Sequence, residues 1–295
     1  MNVLVTGGAG FVGYNLIKQL CENNSCVKKI ISLDNYSSGN STNHIENDKV
    51  FYINDSTSNI LSIKKLLNFK PDIVFHFGEF SRIFLSFEKI NNIFESNSLG
   101  TQQVLEYCIK HNSKLIYSGS SAIFGDNNSN LSPYSWLKAK NIELIKNYEK
   151  WFGLRYAICY FYNAYGPKQI KKGDYATVIG IFEEQMSNNL PITVVGDGSQ
   201  SRIFTHIDDI VNGLVKVALD GNGDGYHLGR HDSIFILELA KLFSDNIIHI
   251  PERKGERKHS IMQVSRAETE LGWRAEKDIR EYIQKLKENN FDKYN

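Results

Sequence analysis

No run of apolar residues in this 295-residue chain approaches the roughly twenty needed to cross a membrane. Neither sign of charge is in excess, with 34 basic residues against 33 acidic ones. The first absence argues against a membrane span, and the second removes any general pull toward nucleic acid or an anionic lipid surface. Cysteine is scarce: Cys21, Cys26, Cys108 and Cys159 form no C-x-x-C pair. A chain this long does not depend on disulfide staples, so these are expected to be free thiols of a cytoplasmic protein. Met1 to Thr6 passes directly into a strand-like pattern, without the charged head, apolar run and cleavage site of a secretory leader. There is no internal repeat and no low-complexity tract. With 41% hydrophobic residues, the chain can bury the core of one large or two ordinary domains.

What is present is an alternation. Short apolar strand patterns stand at 2–6, 28–34, 49–55, 71–77, 114–120 and 155–163, and helical spacing fills 11–20, 60–67, 92–111 and 134–151. Strands alternating with helices imply right-handed crossovers and a parallel sheet covered on both faces. The expected fold is α/β: a Rossmann-type doubly wound parallel sheet over residues 1–166, then a smaller mixed α/β substrate-binding region over 167–295. Residues 206–230 could rejoin the first sheet.

The first strand–helix junction reads "VTGGAGFVG", which gives Gly7-x-x-Gly10-x-x-Gly13 and also Gly8-x-Gly10-x-x-Gly13. Glycine there permits a tight turn, close approach of backbone to a pyrophosphate, and close packing of helix on strand. The helix N-terminus turns its free amides toward the phosphates. Asp34 closes the second strand about twenty residues past Gly13, where a carboxylate accepts hydrogen bonds from the adenosine ribose. A carboxylate at that place repels a 2′-phosphate, so NAD is expected rather than NADP.

"SPYSWLKAK" (132–140) sets Tyr134 and Lys138 one helical turn apart. Alone, Tyr-x-x-x-Lys occurs by chance in many helices. Beside a nicotinamide cofactor it acquires a use, because oxidising an alcohol needs a base for the hydroxyl proton. A phenol ionises near pH 10. Bringing that to about 7 takes roughly 4 kcal/mol of differential stabilisation, which a close ammonium can largely supply. "SGSSAIFG", at the end of the fifth strand, offers Ser118, Ser120 and Ser121 as hydroxyl donors.

Taken together, the chain resembles the extended short-chain dehydrogenases/reductases, and within them the NAD-dependent sugar-nucleotide epimerases and dehydratases. "TGGAGFVG" resembles the cofactor loop (Gly7, Gly10, Phe11, Val12, Gly13), and "LDNYSSGN" the ribose and adenosine segment (Asp34, Asn35, Ser37, Ser38, Gly39). "NDS" puts Asp55 and Ser56 at the adenine, and "VFHFGEFS" puts Phe77, Gly78, Glu79 and Ser81 under the nicotinamide ribose. "SNSLGT" brings Asn97 near the active site. The resemblance implies Ser120, Tyr134 and Lys138 as catalytic residues, the last two also touching the cofactor, as does Tyr162 in "YFYNAYGP". Ser120, Ser121 and Asn163 would bind the sugar nucleotide, and Arg202 ("GDGSQSRIFTHIDD") and Arg253 ("PERKGE") would hold its diphosphate. It also implies a homodimer through the 92–111 and 134–151 helices, whose apolar stripe exceeds what one core needs.

Some positions depart from the family pattern. The usual Ala-Ala after the histidine of the fourth strand is Gly78-Glu79, so Glu79 is either a second sugar-binding group or a solvated side chain. The loop between Ser120 and Tyr134 is short, leaving the sugar pocket open. Tyr160 replaces the usual basic residue. Ser121-Ala122 replaces the dehydratases' Asp-Glu pair, which disfavours dehydration. His227 and His231 lack ligand partners, so no metal is expected; His206 reads as a packed residue, and Lys254, Arg257 and Lys258 as solvated. The expected activity is redox-neutral C4 epimerisation of a nucleotide-linked sugar through a 4-keto intermediate. The alternatives are a 4-dehydrogenase, a dehydratase, and a dinucleotide-binding regulator without catalysis. Intact Ser120, Tyr134 and Lys138 favour an enzyme.

Overall fold

A computed structural model describes residues 1–23, 25–124, 132–252 and 258–291, without the side chains of 289–291. Seven parallel strands form one sheet: β1 (Asn2–Thr6), β2 (Lys29–Asp34), β3 (Val50–Asn54), β4 (Ile73–His76), β5 (Lys114–Ser120), β6 (Tyr156–Phe161) and β11 (Gly223–Leu228). Their order is β11-β6-β5-β4-β1-β2-β3, the doubly wound arrangement that reverses direction between β1 and β4.

Strand periodicity divides the core into two layers. Val3 and Val5 point to one face, where Leu16, Ile17 and Leu20 of α1 (Phe11–Asn23) and Ile210, Val211 and Leu214 of α7 (Ile207–Asp220) cover them. Leu4 points to the other, beneath Val104 and Leu105 of α4 (Gly100–His111) and Ile142 and Ile145 of α5 (Pro133–Phe152). Both faces are buried, so the inner strands carry nearly unbroken apolar sequence.

A third core joins α6 (Val178–Ser187), α8 (Ile236–Phe243) and α10 (Ile279–Phe291) through Phe182, Leu239, Phe243 and Ile283. Short strand pairs tie this region together: β7 (Ala164–Tyr165) with β10 (Thr205–His206), β9 (Ser201–Arg202) with β12 (Ile234–Phe235), and β8 (Ile192–Val195) with β13 (Ile247–Ile250). A short α9 (Arg266–Leu271) lies against β11. His206 is buried and caps α7, its Nδ1 accepting the Asp208 amide at 3.2 Å.

Two helices differ from the sequence expectation. Only Lys64–Leu67 (α2) of the 60–67 stretch is α-helical. Upstream, Ser56 caps a 3₁₀ turn and Asn59 Nδ2 donates to Asp55, local bonds that compete with helix. The 92–111 stretch is three pieces: α3 (Ile90–Ile93), a π-helical turn at Phe94–Leu99, and α4.

Candidate active site

The reversal between β1 and β4 opens a cleft at the carboxyl ends of the strands, where folds of this kind bind ligands. It encloses about 740 Å³ and is walled by the strand ends on one side and by residues of the 163–250 region on the other.

The glycine turn forms its floor. Gly7 has φ +71°, and a Cβ there would meet the Phe77 carbonyl carbon at 2.8 Å. A Cβ on Gly13 would lie 2.2 Å from the Gly7 oxygen. Only glycine allows α1 to start this close to β1 and β4. Phe11, Val12 and Gly13 line the cleft in the first turn of α1, whose amides have no acceptor within the helix. Asp34 ends β2 and is nearly buried; its Oδ2 accepts the Ala9 amide at 2.9 Å and its Oδ1 the Tyr36 amide at 2.8 Å. Burial raises the Asp34 pKa, and those amides work in the opposite direction. The carboxylate is thereby fixed on the cleft wall with lone pairs to spare. Asn35, Ser37, Ser38, Asp55 and Ser56 line the same end. Gly39 backs Asp34, within 2.9 Å of Oδ1 were it to carry a Cβ, and lines a shallower neighbouring hollow. An oxygen-lined end, a glycine-floored middle and a helix N-terminus together fit a dinucleotide.

At the other end stands α5. Ser132 caps it by accepting the Ser135 amide at 3.1 Å, Pro133 opens it, and Gly153 closes it at φ +71°. That start places Tyr134 and Lys138 on the cleft wall together with Ser120. Tyr134 is packed against Phe80, Leu85 and Leu137. Lys138 is buried; its Nζ donates to the Ser118 carbonyl at 2.5 Å and lies 4.7 Å from the centre of the Tyr117 ring.

Glu79 corrects the sequence reading. Its side chain is 2% exposed, so it is neither solvated nor free to reach a sugar. Its Oε2 pairs directly with Lys138 Nζ, while its Oε1 accepts from Thr101 Oγ1 at 2.8 Å, Asn141 Nδ2 at 2.9 Å and the Tyr117 hydroxyl at 3.0 Å. Burial alone would raise the Glu79 pKa. The adjacent Lys138 charge, together with the hydrogen bonds from Lys138 and Thr101 and the neighbouring His76, outweighs it and holds the carboxyl below its usual range. Behind Glu79, His76 Nδ1 pairs with Thr6 Oγ1 at 2.7 Å and Nε2 with Thr101 Oγ1 at 3.0 Å. Burial pushes the His76 pKa down to about 4, so the ring is neutral. Because Thr101 gives its proton to Glu79, it accepts from His76 Nε2, and His76 Nδ1 accepts from Thr6. Thr6 Oγ1 in turn accepts the amides of Phe77 and Gly78 at 3.2 and 3.0 Å. A single directed chain thus runs from the backbone at the cleft to the carboxylate that holds Lys138.

Phe77, Gly78 and Ser81 lie on the cleft wall, as do Asn163 and Arg202. Asn163 Nδ2 donates to the Ile203 carbonyl at 2.8 Å, and Arg202 is nearly buried in β9. Three other expected site residues stand behind the wall. Asn97 is fully buried and grips the Phe80 backbone from both sides, Oδ1 accepting its amide at 2.6 Å and Nδ2 donating to its carbonyl at 3.0 Å. Tyr162 is fully buried, its hydroxyl 3.0 Å from His227 Nδ1, while Phe161 and Asn163 on either side face the cleft. Ser121 is buried in a 3₁₀ turn. Arg253 lies outside the described residues. Arg82 and Tyr175, which the sequence pattern does not mark, also line the cleft. Neither falls in a recognisable motif.

The NAD dependent epimerase/dehydratase family matches residues 3–229. The chain belongs to that family. It is 31% identical to a Methanocaldococcus jannaschii protein provisionally assigned as a UDP-glucose 4-epimerase, across 98% of this chain and 99% of the relative. A UDP-N-acetyl-α-D-glucosaminuronate decarboxylase of Bacillus cytotoxicus is 30% identical over 85% of this chain and 84% of that one. Among solved structures, the Thermotoga maritima UDP-glucose 4-epimerase with UDP-glucose superposes with a TM-score of 0.90 at 27% identity, covering 100% of this chain and 99% of its own. As an epimerase/dehydratase family member the protein is NAD-dependent. The glycine floor, the first turn of α1 and Asp34 are the parts of this chain that fit NAD.

Proposed function

We propose that the protein is a C4 epimerase of a nucleotide-linked sugar, working through a transient 4-keto sugar. The observation that carries this reading is the placement of Tyr134, Lys138 and Ser120 on one wall of the cleft whose floor is the glycine turn. NAD, when bound, supplies a two-electron acceptor for the carbon that bears the reacting hydroxyl. Tyr134 takes the hydroxyl proton and later returns it. Ser120, whose Oγ accepts the Ala122 amide at 3.2 Å, has its own proton free to donate to the sugar oxygen. Lys138 keeps positive charge one turn from the phenol. Arg202 and Asn163 anchor the diphosphate end with charge-assisted and neutral hydrogen bonds, and Arg253 is proposed to join them. Epimerisation requires the keto sugar to rotate while that end stays fixed. The place of the dehydratases' acid–base pair is taken by Ser121 and Ala122, both buried, which supports epimerisation over elimination.

The reading includes a cytoplasmic homodimer. Phe94, Leu99, Trp136, Trp151 and Phe152 are exposed on the π turn and α5, and a second copy would cover them.

The test is to mix the protein with NAD and a panel of nucleotide sugars, following the NADH absorbance and product NMR together. A C4 epimer forming without net NADH supports the proposal. Stoichiometric NADH with release of a keto sugar rejects it in favour of a 4-dehydrogenase.

A further inference from the structure

Arg82 lines the sugar end of the cleft, beside Tyr134 and Tyr175. Arg82 is half-buried, and its Nη2 donates to the Tyr175 carbonyl. Its Nε is sealed from solvent and has no hydrogen-bond partner among the described residues. No described carboxylate lies within ion-pair distance of it. The other charges on this wall are differently placed: Lys89 has Asp174 at 3.7 Å, Glu79 is engaged by Lys138, and Glu95 makes no ion pair with Arg82. Burial lowers the Arg82 pKa, and the groups that oppose it are the phenols of Tyr134 and Tyr175.

An arginine drawn out of water without a counter-charge is costly, and its planar fork matches a carboxylate with two parallel hydrogen bonds. In the reading above, the anionic diphosphates have partners elsewhere: the first turn of α1 for the cofactor, and Arg202 in β9 for the nucleotide sugar. The anion that remains is one carried by the sugar. It must sit next to the carbon whose hydroxyl meets Tyr134. On a hexose processed at C4, the group attached at C5 fills that place.

We propose that Arg82 forms an anion subsite for a C5 carboxylate, so that the substrate is a nucleotide-linked uronate. This rests on the nucleotide-sugar reading above and narrows it. Arg82 then selects the substrate, binding the carboxylate through its two Nη groups while Tyr134 meets the neighbouring hydroxyl.

The experiment uses the NAD-loaded protein and calorimetric binding of UDP-glucuronate, UDP-glucose and UDP alone. UDP-glucuronate is expected to bind about 10- to 100-fold more tightly than UDP-glucose, the range for one charge-assisted fork. Arg82→Gln is expected to erase that ratio, and Arg82→Lys, which keeps the charge without the fork, to restore it in part. An arginine that merely clamps the Tyr175 segment would lower both affinities equally and leave the ratio intact, which would overturn the proposal. Loss of NAD affinity in Arg82→Gln would assign the guanidinium to the cofactor and overturn it as well. If both sugar nucleotides bind better than UDP alone without preference for the uronate, the subsite fails and the nucleotide-sugar reading stands. If neither exceeds UDP, both fall.

Discussion

Lys138 and Glu79 form a buried ion pair, 4% and 2% exposed, with the ammonium also bound to the Ser118 carbonyl. The lysine thought to favour the phenolate of Tyr134 is therefore charge-balanced from behind. Glu79→Gln preserves shape and most hydrogen bonds but removes the balancing charge. The acidic limb of kcat/KM is expected to move to lower pH by up to about one unit. Lys138→Met is expected to move it the other way. A pH–rate profile for each variant checks the pair, and an unmoved limb in Glu79→Gln would show that its charge does not reach the phenol.

Tyr134→Phe removes one hydroxyl from a side chain already packed among Phe80, Leu85 and Leu137. Turnover is expected to fall by about 10²- to 10⁴-fold, the usual worth of a general base. Circular dichroism and NAD binding should stay at wild-type values. Retained turnover would remove Tyr134 from the mechanism.

Asp34→Ala leaves the Ala9 and Tyr36 amides without their carboxylate and removes the acceptor at the ribose end. NAD affinity is expected to drop at least tenfold, with NADP discriminated against less. Because burial raises the Asp34 pKa, wild-type NAD affinity should also weaken earlier on acidification than an exposed aspartate would allow. Fluorescence titrations of both dinucleotides across pH would show it.

Stability should fall on mild acidification. His76 and His227 are buried, each with its pKa pushed down to about 4. In the unfolded chain histidine takes its proton near pH 6.5, so unfolding gains protons as the pH drops. The stability contributed by keeping these rings neutral is complete above about pH 6.5 and is lost progressively toward pH 4. Glu79 has its pKa lowered, so its contribution persists to more acidic pH. Thermal unfolding between pH 7.5 and 4.5 would follow this, and a flat Tm would contradict it.

The sheet, the glycine turn, Asp34 and the Tyr134–Lys138 pair were legible because each rests on short-range pattern: period two, period 3.6, or fixed spacing at a junction. Glu79 was not. Its partners Thr101, Tyr117, Lys138 and Asn141 stand 22, 38, 59 and 62 positions away, and only the packing of α4 and α5 on the sheet brings them to one carboxylate. Strand alternation alone separates buried Tyr162 from Phe161 and Asn163, which face the cleft. Asn97 was placed near the site by resemblance, but its bonds to Phe80 could not be foreseen without the π turn that carries it.

Because a π turn holds one residue more than an α turn, the stretch Phe94–Leu99 sets the rotational phase between the two halves of one rod. Each residue of an α-helix advances about 100° around the axis. Within the turn, the phase keeps Asn97 against Phe80 at the cleft; downstream, it keeps Thr101 against Glu79 in the charge network. Deleting a single residue there would return the stretch to an unbroken α-helical repeat while sparing every other side chain. One of the two grips would then rotate by more than a quarter turn, so pocket shape and lysine placement could no longer be satisfied by the same helix.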